Sequence, residues 1–388
     1  MNKFYTLIIL LFFSLSSFSQ VNEIPAFGTD NTFEIMSWNI EWFPKNDELT
    51  VEYVTDIIEY LDVDIIAIQE VDSILAFEDL VDGLTDYTGY LESSYFAGLA
   101  YIYNPSVVEI NDIYEIYTTY PYWSPFPRSP MVMDLNYMGE RIIVINNHLK
   151  CCGDEYLDMS DEDDEEYRRY YANNLLKQYI DNNFQNENVI VLGDYNDVLT
   201  DNESNNVFQQ FLDDTDNYLF ADYDIAQGNS SEWSYPSWPS HLDHILITNE
   251  LFDDFANEGS FIEAIKLEDY ITGGWSSYDY NVSDHRPVAL KLEMNPYSDI
   301  LTDILITDKL NVYPNPANTE ANINFESSSF ERTIEVSNIQ GQIVLSESIS
   351  PGESTYRLKT HDWQSGTYFV RLIECETSIA VERLVVLF

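Results

Sequence analysis

Six short polar segments that follow apolar runs hold the side chains of this chain that could do chemistry. They combine carboxylates, side-chain amides and three imidazoles, and they lie at residues 37–40, 68–71, 146–149, 193–196, 242–245 and 283–287. A protein core has no use for so many charged groups, because burying each one unpaired costs several kcal/mol. Together the segments therefore predict a reaction site.

A hard divalent cation suits this set of side chains. Mg²⁺ binds through one or two carboxylates and keeps several waters that a phosphate can replace. Cysteines and histidines at zinc spacing are absent from the sequence, as are Gly-x-Ser-x-Gly and glycine-rich phosphate-binding motifs. Histidine titrates near neutral pH, so the two histidines beside carboxylates suit a general base and a donor to phosphate oxygen.

The apolar pattern places these segments at the ends of strands in a mixed α/β domain. Strands are predicted at residues 33–38, 64–69, 141–147, 189–192, 242–248 and 287–292. Helices are predicted at residues 49–61 and 165–182, where apolar side chains recur on one face. Strand ends and the loops that follow them commonly carry catalytic residues.

The two ends of the chain differ from this domain. Residues 1–20 have the features of a signal peptide, with Lys3 before an apolar run that is too short to span a membrane. Residues 309–388 carry short β-like runs between Gly, Ser, Asn and Pro, which predicts a small all-β sandwich. The predicted division is a signal peptide at 1–20, a catalytic domain at 21–297, a linker at 298–308 and a second domain at 309–388.

The order of the motifs resembles the endonuclease/exonuclease/phosphatase superfamily. The motifs are Trp-Asn, Gln-Glu, Asn-His, Gly-Asp-Tyr-Asn, Leu-Asp-His-Ile and Ser-Asp-His-Arg-Pro-Val, within residues 30–295. Members of this superfamily include deoxyribonucleases, abasic-site endonucleases, sphingomyelinases and inositol-polyphosphate phosphatases. The resemblance implies an α+β fold, a four-layer αββα sandwich with the site at one edge of its two sheets, followed here by the small all-β sandwich.

The resemblance also implies which residues hold the metal and activate water. Glu70 would be the main metal ligand, with Asn39 and Asp284 beside it. His285 would act as general base on the attacking water, oriented by Asp243. The implied cofactor is Mg²⁺, with Mn²⁺ or Ca²⁺ as alternatives.

Further residues would contact the phosphate or the rest of the substrate. Asp194 would position the water or the leaving oxygen, Asn196 would bond the transition-state phosphate, and His148 would donate to a phosphate oxygen. Arg128 matches a position where the family often contacts phosphate, with a plain surface charge as the alternative. Trp233 would stack on the substrate, unless it packs in the core.

The charge balance limits the substrate. The chain has 68 Asp and Glu against 17 Lys and Arg, a net charge of −51, and such a surface repels polyanions. A nuclease that hydrolyses DNA or RNA is the leading interpretation. The charge favours its rival, a phosphatase or phospholipase-type phosphodiesterase on a small or lipid phosphoester. A non-catalytic surface-binding protein is the alternative from another class.

An acidic segment departs from the family pattern. Residues 154–166 contain nine Asp and Glu and directly follow Lys150-Cys151-Cys152-Gly153. One interpretation is a solvated loop whose last acids cap the next helix. The other is a calcium-binding or substrate-excluding rim. The adjacent cysteines are either a vicinal disulfide or two free thiols.

The C-terminal segment, which opens with Tyr-Pro-Asn-Pro at residues 313–316, resembles the sorting domain of the type IX secretion system, a feature of Bacteroidetes. This resemblance implies the type IX secretion machinery as a partner and a secreted or cell-surface location. A generic β-sandwich binding module is the alternative. We expect a monomer without a transmembrane segment.

Overall fold

The structure is a computed structural model that describes residues 21–91, 98–294, 310–338, 342–374 and 377–387. The predicted signal peptide at 1–20 and linker at 298–308 lie outside the described residues. The chain divides into two compact units, Met1–Met294 and Asn295–Phe388.

Two six-stranded sheets form the centre of the first unit. The first sheet has the order β11-β12-β1-β2-β4-β3 and the second has the order β5-β6-β7-β8-β10-β9. Neighbouring strands are antiparallel except for two central parallel pairs, which are β1 with β2 and β7 with β8. The strands are β1 (Phe33–Phe43), β2 (Ile65–Val71), β3 (Thr88–Tyr90), β4 (Gly98–Tyr103), β5 (Val108–Glu115), β6 (Met131–Tyr137), β7 (Glu140–His148), β8 (Asn188–Asp194), β9 (Tyr218–Phe220), β10 (Asp243–Thr248), β11 (Phe261–Ala264) and β12 (Val288–Leu292).

Three apolar cores give this unit four layers. Alternate residues of a strand point to opposite faces of its sheet, so Ile35 packs between the two sheets while Met36 faces the helices. Ile57 lies in the core on the outer face of the first sheet, and Leu176 lies in the core on the outer face of the second. The helices are α1 (Asp47–Leu61), α2 (Ile74–Gly83), α3 (Glu165–Asn183), α4 (Gln209–Leu212), α5 (Tyr223–Gln227), α6 (Phe252–Phe255) and α7 (Trp275–Asn281).

This arrangement confirms the predicted αββα sandwich. The six predicted strands correspond to β1, β2, β7, β8, β10 and β12, and the two predicted helices correspond to α1 and α3. These strands are buried on both faces, which explains their nearly continuous apolar sequences. Strands β3–β6, β9 and β11 and the remaining helices were not predicted.

The second unit is all-β, as predicted. Its two antiparallel sheets have the orders β13-β14-β17 and β16-β15-β18-β19. Ala321, Ile334 and Leu372 belong to its apolar core, which includes residues of both sheets. The strands are β13 (Asn311–Tyr313), β14 (Glu320–Asn324), β15 (Arg332–Asn338), β16 (Ile343–Ile349), β17 (Thr355–Lys359), β18 (Gly366–Glu374) and β19 (Thr377–Val386).

Two buried acids, one near the start of β1 and one directly before β2, make the stability of the fold depend on pH. Burial raises the pKa of Glu34 to about 8 against a hydrogen bond from Thr32, and burial also raises the pKa of Asp64 to about 6. An acid with a raised pKa binds its proton more tightly in the folded state. Its contribution to stability is therefore present at low pH and is lost as the pH rises through the folded pKa.

We expect Glu34→Gln to become more stable than the wild type as the pH rises. Glutamine keeps the shape of the side chain but does not ionise, so its contribution stays constant. Between about pH 5 and 8, the difference in the free energy of unfolding should change by at least ~1 kcal/mol in favour of the variant. Urea unfolding of both proteins at the two pH values measures this difference, and parallel pH dependences would contradict the assignment.

Candidate active site

The register of the two sheets brings their polar strand ends to one edge. His148 at the end of β7 lies beside Asp194 at the end of β8, and Asp194 pairs with Asp243 of β10. Asn39 belongs to β1 of the other sheet, and its Nδ2 donates to Asp194 Oδ2 at 3.0 Å. This hydrogen bond joins the two sheets at the site. The sequence-predicted residues of both sheets therefore meet in one place.

Asp194 lies at the centre of this group and is 2% exposed. His148 Nε2 lies 3.4 Å from its Oδ2, and His285 Nε2 lies 3.9 Å from the same oxygen. Burial raises the pKa of Asp194 to about 7, Asp243 and Glu70 add to the rise, and His285 and Asn39 oppose it. The carboxyl group is thus held close to its titration point at neutral pH, where a nearby cation would ionise it.

His285 and Asp243 form a buried imidazole–carboxylate pair. His285 Nδ1 lies 2.7 Å from Asp243 Oδ2, which leaves Nε2 facing Asp194 and Asp284 at 3.9 Å from each. Burial lowers the pKa of His285, but the carboxylates of Asp243, Asp194 and Asp284 outweigh it and raise this pKa to about 10. A divalent cation among these carboxylates would add positive charge and reduce the rise.

The loop that carries His285 is fixed by hydrogen bonds to its backbone. Ser283 Oγ donates to the carbonyl oxygen of Asn39 at 2.6 Å and accepts from the His285 backbone N–H at 2.9 Å. The hydroxyl of buried Tyr278 donates to the His285 carbonyl oxygen at 2.6 Å and accepts from Trp38 Nε1 at 3.1 Å. The imidazole therefore has little freedom to leave the site.

Glu70 is held at the cavity by its backbone conformation and by contacts with Trp42 and His148. Its backbone adopts a φ of +67°, an unusual conformation for a residue other than glycine. The Trp42 backbone N–H donates to Glu70 Oε2 at 3.0 Å, and Glu70 Oε1 lies 3.8 Å from His148 Nε2. Strain of this kind occurs where function dictates the backbone.

Glu41 connects the other two predicted metal ligands. Its backbone N–H donates to Asn39 Oδ1 at 2.9 Å, and its Oε2 accepts from the Asp284 backbone N–H at 2.8 Å. Lys45 pairs with the same carboxylate. Glu41 thus positions Asn39 and Asp284.

His148 is held neutral. Burial lowers its pKa well below the ordinary value, and the charges of Arg128 and His285 lower it further. Its Nδ1 has no hydrogen-bond partner among the described residues. Arg128 is close enough to act on His148 electrostatically, but it is not among the residues that line the cavity.

Asn196 and the aromatic residues stand along the cavity. Asn196 has a φ of +55°, and its backbone N–H donates to Asp194 Oδ1 at 2.9 Å. Trp233 lines the cavity and is anchored through Nε1 to the Ile225 carbonyl oxygen at 3.0 Å. Tyr235 packs against His285, with the centroids of the two rings 4.8 Å apart, and Trp238 is exposed at the rim of the cavity.

The cavity has a volume of about 610 Å³ and an acidic lining. Arg169 lines it, but its guanidinium pairs with Glu166 and Asp197. Arg286, which belongs to the last of the six motifs, donates from Nε to Glu268 at 2.9 Å. The acidic residues of the lining are Glu41, Glu70, Glu155, Glu166, Asp194, Asp197, Asp201 and Asp284.

The adjacent cysteines also line the cavity. Cys151 and Cys152 are free thiols in the structure, and their Sγ atoms lie 2.8 Å apart. Ser234, which sequence reasoning missed, accepts at Oγ from the Asp243 backbone N–H at 3.2 Å and so positions that residue. Tyr278 and Arg169 were also missed, since each lies on a helix outside the motifs.

A second buried group contains Asp222, His241 and His244. His244 Nδ1 lies 2.6 Å from Asp222 Oδ2, and its Nε2 lies 2.9 Å from the Asp197 carbonyl oxygen. Both neighbours are acceptors, so His244 carries two protons here. His241 Nδ1 accepts from the Ser234 backbone N–H at 3.2 Å, and its Nε2 lies 3.0 Å from Asp222 Oδ2 but has no hydrogen-bond partner among the described residues. The contacts of His244 with Asp222 and with the Asp197 carbonyl oxygen make this group a structural support.

The chain combines a metal-compatible carboxylate site with the αββα fold. A comparison of its sequence with models of protein families identifies the class of protein to which it belongs. A model of the endonuclease/exonuclease/phosphatase family matches residues 36–285, and the chain belongs to this family. Its members are phosphoester hydrolases that depend on divalent metals. A model of the secretion system C-terminal sorting domain matches residues 311–387. This type IX domain indicates secretion to the cell surface or the extracellular space.

Several solved structures are similar to this chain. D. rerio TDP2 complexed with single strand DNA product is 15% identical with a TM-score of 0.50, and the match covers 68% of this chain and 99% of that one. The human Nocturnin catalytic domain with bound sulfate is 17% identical with a TM-score of 0.48, covering 68% and 94%. The endonuclease/exonuclease/phosphatase from Bacteroides vulgatus is 14% identical with a TM-score of 0.47, covering 68% and 99%. No curated protein gives a significant match.

Among the described residues, no helix has the length and apolar character needed to cross a membrane.

Proposed function

We propose that this protein is a secreted, divalent-metal-dependent phosphodiesterase in which His285 activates the attacking water. The observation that carries the proposal is the His285–Asp243 pair, whose free Nε2 faces Asp194 and Asp284 at the cavity. Residues 21–297 would carry this activity, residues 1–20 would act as a signal peptide, and residues 309–388 would direct sorting.

The donor set at the cavity fits a hard cation. Glu70 and Asp284 line the cavity, and Asn39 is buried beside it against Asp194 and Glu41. All three offer oxygen ligands, and the acidic lining leaves negative charge that a cation would balance. We assign these three residues to the metal and Mg²⁺ as its identity, with Mn²⁺ or Ca²⁺ as alternatives. When bound, the ion would supply Lewis acidity toward phosphoryl oxygens.

The remaining residues would transfer the proton of the water and form hydrogen bonds to the phosphate. His285 Nε2 would accept the proton of the water, while Asp243 holds Nδ1–H and stabilises the imidazolium that forms. Asp194 would orient that water or the leaving oxygen. Neutral His148 and the side-chain amide of Asn196 would donate to phosphate oxygens, because fixed donors stabilise developing charge. The positive charge of Arg128 would help to keep His148 neutral.

The leading substrate is a nucleic acid. The aromatic lining of Trp233, Tyr235 and Trp238 favours it, since a base stacked on an aromatic side chain contributes ~1–3 kcal/mol. The acidic lining favours the second candidate, a small or lipid phosphoester. If the protein is a nuclease, a nucleic-acid substrate must approach this acidic cavity against electrostatic repulsion between the two negative charges.

Ionic strength separates the two candidates. Salt screens repulsion between a chain of charge −51 and a polyanion. We therefore expect kcat/KM for a single-stranded oligonucleotide to rise severalfold between about 20 and 150 mM NaCl, opposite to the usual behaviour of nucleic-acid-binding proteins. The rate with bis-p-nitrophenyl phosphate should change much less.

The assay uses the full chain with Mg²⁺ on DNA, RNA, bis-p-nitrophenyl phosphate and phospholipid vesicles. Cleavage of nucleic acid that increases with salt supports the nuclease proposal. Metal-dependent hydrolysis of the small diester or the lipid without nucleic-acid cleavage would transfer the activity to the second candidate. Lack of hydrolysis on all four substrates would favour the non-catalytic binding protein.

A further inference from the structure

We propose that Asp154, Asp164 and Glu166 bind a Ca²⁺ ion at the wall of the cavity, at a site separate from the catalytic metal site. We call these three residues the rim cluster. Each offers a carboxylate oxygen, and the three oxygens lie within 4.8 Å of one another. Asp154 comes from the loop after β7, Asp164 is the residue before α3, and Glu166 is in the first turn of α3.

A buried oxygen without a partner shows that this cluster is more than a solvated acidic loop. The side chain of Glu166 is 3% exposed. Its Oε1 accepts from the Glu155 backbone N–H at 2.8 Å and lies 3.1 Å from Arg169, whereas its Oε2 is buried and has no hydrogen-bond partner among the described residues. Leaving a carboxylate oxygen dry and unpaired is costly, and a cation bound in the rim cluster would remove that cost.

The two aspartates are already oriented by the backbone. Asp154 Oδ1 accepts from the Tyr156 N–H at 3.2 Å, and Asp164 Oδ1 accepts from the Tyr167 N–H at 2.7 Å. Asp164 thus caps α3, as the solvated-loop interpretation requires. That interpretation does not account for Glu166, whose side chain is directed into the protein.

The local charge balance favours a divalent cation. Arg169 contacts Glu166 but also donates from Nε to Asp197 Oδ2 at 2.7 Å, so one positive charge is shared by two carboxylates. Asp154 and Asp164 add two negative charges to the same place. A bound divalent ion would offset this repulsion.

The ligand chemistry selects Ca²⁺ over other cations. The rim cluster contains only oxygen ligands, which are unsuited to a soft metal. Two of its members lie in irregular chain outside α3, and Ca²⁺ tolerates such geometry while Mg²⁺ demands a near-ideal octahedron. Extracellular calcium modules bind in the range of ~10⁻⁴–10⁻³ M, which suits a protein sorted out of the cell.

An ion at this place would fix one wall of the catalytic cavity. Cys152, Gly153, Glu155 and Glu166 all line that cavity, and the rim cluster connects this loop to α3. Gly153 approaches Glu166 so closely that a Cβ on it would lie 2.2 Å from Oε1. The conformation of the loop at Gly153 therefore depends on its packing against Glu166 in the first turn of α3.

Thermal unfolding tests the proposal without relying on activity. The starting protein is the full chain carrying Glu70→Gln and Asp284→Asn, which weakens the catalytic metal site. We expect 10 mM CaCl₂ to raise its Tm by ~5 °C more than 10 mM MgCl₂ does. The further change Asp154→Asn/Asp164→Asn/Glu166→Gln should abolish that extra shift. These amides keep the cap and the acceptor oxygens and relieve repulsion, so the variant should fold without Ca²⁺.

A matched control separates a specific site from general screening of the acidic surface. Glu162→Gln/Asp163→Asn neutralises two exposed acids of the same segment outside the rim cluster and should keep the extra Ca²⁺ shift. The single change Glu166→Gln provides a second, milder test and should lose most of the shift. Equal shifts in Ca²⁺ and Mg²⁺, or an extra shift that survives in the rim-cluster variants, would overturn the proposal.

Discussion

Replacing His285 with alanine is expected to lower kcat/KM for diester hydrolysis by ~10³-fold, with the fold unchanged. The imidazole is the group that can accept a proton from water here, and its Nδ1 is held by Asp243 at 2.7 Å. Hydrolysis of bis-p-nitrophenyl phosphate under saturating Mg²⁺ measures the loss. Imidazole added to the assay should restore part of the rate in the variant, which a purely structural defect would prevent.

The control for this variant is Tyr280→Phe, which alters an exposed residue of the nearby helix α7 and should keep full activity. Asp243→Asn gives a second readout through the pH profile. Asp243 is one of the carboxylates that raise the pKa of His285, so its neutralisation should move the acid limb of kcat/KM to lower pH. A His285→Ala rate within threefold of wild type would remove His285 from the reaction.

Glu70→Gln is expected to raise the Mg²⁺ concentration for half-maximal activity at least ~10-fold and to lower kcat/KM by ~10²-fold. Glutamine keeps the size of the side chain and an acceptor for the Trp42 N–H, which now lies 3.0 Å from Oε2. The change therefore removes mainly the negative charge that a cation would need. A titration of activity with Mg²⁺ at fixed substrate measures both effects.

The thermal stability of Glu70→Gln without metal should equal or exceed that of the wild type, because one charge of an acidic cavity is removed. This separates loss of metal affinity from damage to the fold. Glu78→Gln on α2 makes the same chemical change at an exposed position and should leave the Mg²⁺ dependence as it is. An unchanged Mg²⁺ requirement in Glu70→Gln would show that the metal ligands lie elsewhere.

The strands that the sequence predicted are buried on both faces, although the largely buried interior strands β4 and β6 were missed as well. β1, β2, β7 and β8 appear as apolar runs because helices or the other sheet cover each side, and the polar segments mark where these runs stop. Edge elements are partly exposed and lack this signal. β5, for example, alternates irregularly between buried and exposed residues, and it was missed.

The composition of the site was predictable, but its supporting contacts were not. Motif order identified His148, Asp194 and His285, and the parallel register of the strands then brings such ends together. Tyr278 and Arg169 act over long sequence separations from helices with no distinctive pattern. Arg286 belongs to a motif but pairs with Glu268, since local sequence does not specify a distant partner.

Metal-dependent phosphodiester hydrolysis can be tested in a single assay. The purified full chain is incubated with bis-p-nitrophenyl phosphate after EDTA treatment, and again after Mg²⁺ is restored, beside His285→Ala. We predict hydrolysis that EDTA abolishes, that Mg²⁺ restores, and that the variant lacks under both conditions. Hydrolysis that persists in EDTA would exclude a metal-dependent reaction, and hydrolysis that His285→Ala retains would exclude His285 as the general base.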